Sequence, residues 1–179
     1  TPNGRSVRKT PAKAPARPVE APRAPRPGMG AGEVWGRCKP APADHPYITA
    51  KDGRPEGLRV VPEGDPLRIA GASVAGWLVA PVLPLAGGEP LSLQFIPPPG
   101  GAGKKLNLPG ASMAGARHIV GEPQEGRPLY LVEGIGQAWA CWQATGRRAV
   151  VCFGWGNVGR VAAQLREREP PAALVLVPD

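Results

Sequence analysis

Residues 129–179 read LYLVEGIGQAWACWQATGRRAVVCFGWGNVGRVAAQLREREPPAALVLVPD, and the rhythm of this stretch decides the fold. Leu129-Tyr130-Leu131-Val132 is a short continuous apolar run, the texture of a strand buried on both faces of a parallel sheet. Ile135, Ala138, Trp139 and Trp142 then fall at i, i+3, i+4 and i+7, one face of a helix that Gly146 closes. Ala149 to Phe153 is a second buried strand, and Val158, Val161, Ala162 and Leu165 repeat the helical spacing until Pro170-Pro171 stops it. Ala173 to Val177 makes a third strand. The order β-α-β-α-β with short connections requires right-handed crossovers, so the pattern predicts an α/β fold with a three-stranded parallel sheet.

Ligands of open parallel sheets sit beyond the carboxyl ends of the strands. Two acids stand there, Glu133 after the first strand and Asp179 after the third. A carboxylate followed at once by Gly134 suits work beside a phosphate or a metal, because glycine lets the backbone turn sharply and come close. Mg²⁺ takes such oxygen ligands, commonly one or two carboxylates with substrate phosphates. Equally, Glu133 can serve as an acid at a helix N-terminus, favoured by the dipole. After the second strand, Gly154-Trp155-Gly156-Asn157-Val158-Gly159 spells a GxGxxG between strand and helix. With Asp179 20 residues beyond Gly159, it meets the outline of a dinucleotide fingerprint. Against that reading, a whole strand and helix precede the glycines, whereas the fingerprint normally follows the first strand of its unit.

Upstream the apolar runs are short and punctuated by Gly and Pro. Leu58 to Val61, Trp77 to Leu85 and Leu91 to Ile96 are strand candidates, the last two joined as a hairpin across Ala86-Gly87-Gly88-Glu89-Pro90. Alternation of Leu91, Leu93 and Phe95 with Ser92 and Gln94 predicts one buried and one wet face. A Gly-rich loop carrying Lys104-Lys105 leads into Leu106-Asn107-Leu108-Pro109-Gly110. Residues 1–28 hold seven prolines, five alanines and seven basic residues against one acid, Glu20. Such a segment cannot bury enough surface to offset its ordering entropy and is expected to be a disordered basic linker. It carries +6 of the +8 net charge, leaving +2 for residues 29–179. The expected division is linker 1–28, a small, mainly β amino-terminal subdomain 29–122, and an α/β domain 123–179.

The chain starts at Thr1 without a signal pattern, as expected of a piece of a longer cytoplasmic protein with further domains. Its longest apolar stretch, Trp77 to Ala86, is interrupted by two prolines and too short to cross a bilayer. Cys38, Cys141 and Cys152 are an odd number with no CxxC, which suits a reducing compartment. Cys38 and His45 offer two of the four ligands that a structural zinc needs, so that site is not expected. Arg117 and His118 lie in the connection between the halves, with His118 expected to be structural. Trp35, Trp77, Trp139 and Trp142 are core by spacing, while Trp155 stands at the mouth of the sheet, where a base could stack.

Residues 129–179, with strand-Glu133-Gly134, the helix end Ala144-Thr145-Gly146, the small-residue turn containing Asn157, and the strand ending at Asp179, resemble the toprim domain of plasmid- and phage-type primases. The segment His45-Pro46-Tyr47-Ile48 with Lys51, the hairpin and the Lys104 to Gly110 run resemble, in the same order, the amino-terminal half of that catalytic core. The resemblance implies a toprim-like βαβαβ sheet behind a β-rich subdomain, and Mg²⁺- or Mn²⁺-dependent synthesis of short primers on single-stranded DNA in plasmid or phage replication. Glu133 is then the acid/base or metal-linked carboxylate and Asp179 a metal ligand. Lys104, Lys105, Asn107, Asn157 and Trp155 are candidates for contacts with nucleoside triphosphates or the template. The family's terminal pair is Asp-x-Asp, of which this sequence contains only the first member. The parent protein is expected to carry partner domains of helicase, relaxase or zinc-binding type. Two other functions remain open at the level of sequence: an inactive toprim module that binds nucleic acid, and an NAD(P)-binding domain on Gly154, Gly156, Gly159 and Asp179.

Overall fold

A computed structural model describes residues 29–101 and 103–178. The expected linker 1–28 and the candidate ligand Asp179 lie outside the described residues. The elements run α1 (Ala31–Arg37), β1 (Lys39–Pro40), α2 (Pro46–Ala50), β2 (Arg59–Val60), β3 (Arg68–Ile69), β4 (Ala72–Ser73), β5 (Leu78–Val82), β6 (Ser92–Ile96), β7 (Leu106–Asn107), β8 (His118–Val120), β9 (Leu129–Val132), α3 (Ile135–Thr145), β10 (Ala149–Val151), α4 (Trp155–Arg168) and β11 (Leu174–Val177). They form a mixed α/β fold.

The carboxyl-terminal sheet has the order β11-β9-β10-β8. Two of its pairings follow the apolar runs: β9 is parallel to both β10 and β11, and the strand ends align at Val132, Val151 and Val177. Gly146 at φ +64° ends α3 with the left-handed turn that glycine adopts without a Cβ clash. The fourth strand, β8, comes from before the sequence boundary at 122/123 and pairs antiparallel with β10. Its three residues are too few to register as a periodic signal. β11 lies at the opposite edge, where Val175 and Leu176 are exposed.

The amino-terminal sheet, order β1-β2-β5-β6-β7, is antiparallel throughout. Its centre is the hairpin β5–β6, with Gly87 and Gly88 at positive φ in the connection. A bridge between Leu83 and Arg117 joins the end of β5 to the start of β8 and so links the two sheets.

Period-two side-chain alternation builds three apolar layers. Val79, Leu93 and Phe95 pack with Val34 of α1 on the outer face of the amino-terminal sheet. Leu129, Leu131 and Val150 pack with Val158, Val161 and Leu165 of α4 on the outer face of the other. Between them, Leu78, Ala80 and Ile96 meet Val132, Ala149 and Val151 around Ile135, Ala138 and Trp139 of α3. This shared layer corrects the expectation of a wet face on β6. Ser92 and Gln94 are buried, because they lie on the Ile96 side, the face turned to the joint, and both are satisfied there. Ser92 Oγ donates to Leu108 O, and Gln94 Nε2 donates to Asn107 Oδ1 at 3.1 Å. Among the described residues no helix is long and apolar enough to cross a membrane.

Candidate functional site

At the carboxyl end of β9 the chain must pass from strand to helix without a side-chain cap, since the N-cap is Gly134. Gln137 supplies the missing acceptor from the first turn of α3: its Oε1 accepts from the backbone N–H groups of Glu133 and Gly134 at 3.0 and 3.1 Å. These bonds fix the backbone beneath the half-buried Glu133. The aligned strand ends bring Val177, and with it the end of the described chain, beside Val132.

A cleft of about 810 Å³ opens over this strand end. Its charged lining is Glu133, Asp52, Lys51 and Lys105, and Tyr47, Gln94 and Phe153 complete the functional wall. Three distant segments converge here for identifiable reasons. The strap 45–57 crosses α3, pressed so close that a Cβ on Gly53 would stand 2.3 Å from the Trp139 ring. Gln143 of α3 also donates its side-chain amide to Asp52 O. In consequence Tyr47 Oη and the Lys51 stem lie within 4 Å of the Cβ position of Gly136. Lys105 arrives from the other side. β7 pairs with β6 in the register Gln94↔Asn107, and the Lys105 ammonium ends 2.9 Å from the Cβ position of Gly134.

Backbone strain gathers at the same place. Three non-glycine residues among those described have positive φ, and two of them, Asp52 (+49°) and Phe153 (+59°), line this cleft. A left-handed conformation costs roughly 1–2 kcal/mol for a residue such as Phe, and such outliers persist where surrounding structure over-determines them, often at ligand sites. Burial pushes the Tyr47 hydroxyl above its ordinary pKa, so it stays protonated as a hydrogen-bond donor.

The other sequence candidates fall differently. Lys104 is exposed and does not line the cleft. Asn107 is one step removed, its Oδ1 orienting Gln94 of the wall. Asn157 is committed to structure: Nδ2 faces the carbonyls of Met113, Ala116 and Cys152 at 2.9–3.0 Å, and Oδ1 accepts from Gly115 N at 2.7 Å. It pins the 113–116 loop to the start of α4. Trp155 begins α4 and is 49% exposed, outside the cleft lining. His45 caps α2, accepting from Tyr47 N through Nδ1 and bonding Gly76 O through Nε2, so both ring nitrogens are occupied. Cys38 is buried with Sγ against Val34 O, and burial raises its thiol to about 11. Neither residue is free for zinc.

The GxGxxG segment lacks the geometry of a dinucleotide site. Gly156 and Gly159 are exposed, and a Cβ on either would touch nothing. The third glycine of a fingerprint serves close packing of helix on strand, which Gly159 does not make. β10 and β11 are also separated by β9, so the acid beyond β11 does not follow the strand adjacent to the glycine turn.

Tyr47, Lys51, Asp52 and Phe153 were not singled out as site residues by sequence reasoning. The His45 to Lys51 segment was the available signal for the first two. No pattern marks Asp52 or Phe153, whose place follows from backbone conformation.

No family model matches the chain, and no solved structure matches it.

Proposed function

We propose that this chain is a toprim-type primase catalytic core that joins nucleoside triphosphates into short primers on single-stranded DNA. The observation that carries the reading is the convergence of Glu133, Lys51 and Lys105 on one cleft at the carboxyl end of a parallel strand. Primer synthesis attacks an α-phosphate with a 3′-hydroxyl and releases pyrophosphate, so the protein must neutralise phosphate charge, position the two partners and accept a proton.

Lys51 and Lys105 suit the triphosphate as point charges on flexible stems. Glu133, backed by the Gln137 bonds, supplies the carboxylate. Tyr47 offers a hydroxyl donor from the strap. The donor set also suits the divalent ion that the reading implies: Glu133 and Asp52 both line the cleft with carboxylate oxygens, and Mg²⁺ or Mn²⁺ needs one or two carboxylates when phosphates complete its shell. When bound, that ion would offset charge on the reacting phosphate and lower the pKa of the attacking hydroxyl.

The experiment is Mg²⁺-dependent primer synthesis by the full-length protein on a single-stranded DNA template, comparing wild type with Glu133→Gln. Loss of about 10²-fold or more is expected, in the range set by removing an acid/base group, with an unchanged melting temperature. Equal synthesis by the variant would sink the assignment.

A further inference from the structure

On the other side of the strap lies a second cleft, of about 710 Å³, which the proposed reaction does not use. Its walls are apolar: Pro81, Leu83, Pro84 and Leu85 from the end of β5, and Trp139 and Trp142 from α3. Trp142 is held tightly, with Gly121 against one edge and the Arg54 guanidinium 3.9 Å from its ring centroid. That volume and lining fall in the range of small-molecule sites.

Two polar residues of the lining come from the start of β8, and both are more than nine-tenths buried: Arg117 (7% exposed) and His118 (5%). Arg117 spends its backbone on the bridge to Leu83 and its Nη2 on Leu85 O, whereas among the described residues Nε and Nη1 have no partner, nor does His118 Nδ1. Glu56 and Glu122 also line the cleft, but among the described residues no carboxylate is bonded to the guanidinium. Arg148 and Arg168 add positive charge around it, and the acid whose charge reaches it, Glu169, is paired with Arg148. A buried charge without a counter-ion is costly, and a retained one points to an anion that supplies the missing charge.

We infer that this cleft is a second ligand site, for a small organic anion whose flat apolar body packs against Leu83, Leu85 and Trp142 and whose acidic group neutralises Arg117. A guanidinium is a planar fork of donors that matches a carboxylate or sulfonate. Burial depresses His118 to about 4, so at neutral pH the ring adds hydrogen-bonding capacity without more charge. The inference does not rest on the primase reading.

The probe is 8-anilinonaphthalene-1-sulfonate, titrated at neutral pH into the intact protein, with the uncharged N-phenyl-1-naphthylamine as its companion. Saturable binding of one sulfonate per chain is expected, with energy transfer from tryptophan. Arg117→Met should weaken it about tenfold or more, the scale of a lost charge-assisted contact, while leaving the neutral analogue unchanged. Because that variant removes an unpaired buried charge, its melting temperature should equal or exceed that of wild type. Ala86→Glu, at an exposed position on the cleft lining, gives an independent arm: an added acid should weaken the sulfonate similarly without touching the core. Equal affinity for the sulfonate and the neutral analogue, or sulfonate binding indifferent to both variants, would overturn the proposal.

Discussion

The two clefts flanking the strap 45–57 solve opposite electrostatic problems with the same helix between them. In the first, two carboxylates and two lysines stand at a strand end, half-buried or exposed, where water and opposite charges already offset them. In the second, a guanidinium and an imidazole are buried among prolines, leucines and tryptophans with donors and acceptors unused. Exposed charges contribute little to stability, so substitutions in the first cleft should register in function. Unsatisfied buried groups are expensive, so substitutions in the second should register in stability.

The sharpest contrast is in pH dependence. His118 has a folded pKa near 4 against 6.5 for its unfolded value, because burial disfavours the charged ring. The unfolded chain therefore binds the proton first as pH falls. Stability from this residue is fully present above about 6.5 and declines towards pH 4, by about 3 kcal/mol for a shift of that size. Denaturant unfolding between pH 7 and 4 should show the loss, and His118→Gln should flatten it. A profile identical in the variant would mean that another group dominates the acid limb.

Gly53 links the clefts and gives the next effect. Its missing side chain leaves space that the Trp139 ring fills, and that ring is itself buried. Gly53→Ala should cost about 2 kcal/mol through overpacking, read as a lowered urea midpoint. It should also weaken nucleotide binding, since Tyr47, Lys51 and Asp52 ride on the same strap. A variant as stable as wild type would show that the strap moves independently of α3.

The smallest expected change is Lys51→Ala, which belongs wholly to the first cleft. Nucleotide affinity should fall about tenfold, roughly 1.4 kcal/mol, with the difference shrinking at high salt and the melting temperature unaffected. A salt-independent loss would reassign Lys51 to packing, because its stem lies over Gly136.

Legibility differed between the halves for a physical reason. In residues 129–178 the two helices are long enough to display their own period, and the strands between them are parts of continuous apolar runs. Spacings such as Val158, Val161 and Leu165 therefore report the packing directly. The amino-terminal sheet contains strands of two residues, β1, β2 and β7, whose existence depends on partners distant in sequence. The alternation in β6 even misled, since Ser92 and Gln94 read as solvent-facing until a second sheet and α3 were packed over them. Glu133 and Lys105 were legible as candidates through residue type and local setting. Lys51 was visible only as part of a longer segment, and Asn157 read as a ligand contact while three of its four backbone contacts hold a loop.

Composition and periodicity by themselves determined the β-α-β-α-β order, the helix stop at Gly146 and an acid at the end of the first strand, because these rest on local propensity and neighbouring burial. Only tertiary structure decided that β8 completes the sheet, that the strap brings Lys51 and Asp52 into the cleft with Glu133, and that Arg117 is buried with two of its nitrogens unpaired among the described residues. Those facts depend on which distant segments meet, and side-chain contacts between segments 40 to 90 residues apart leave no period in either one.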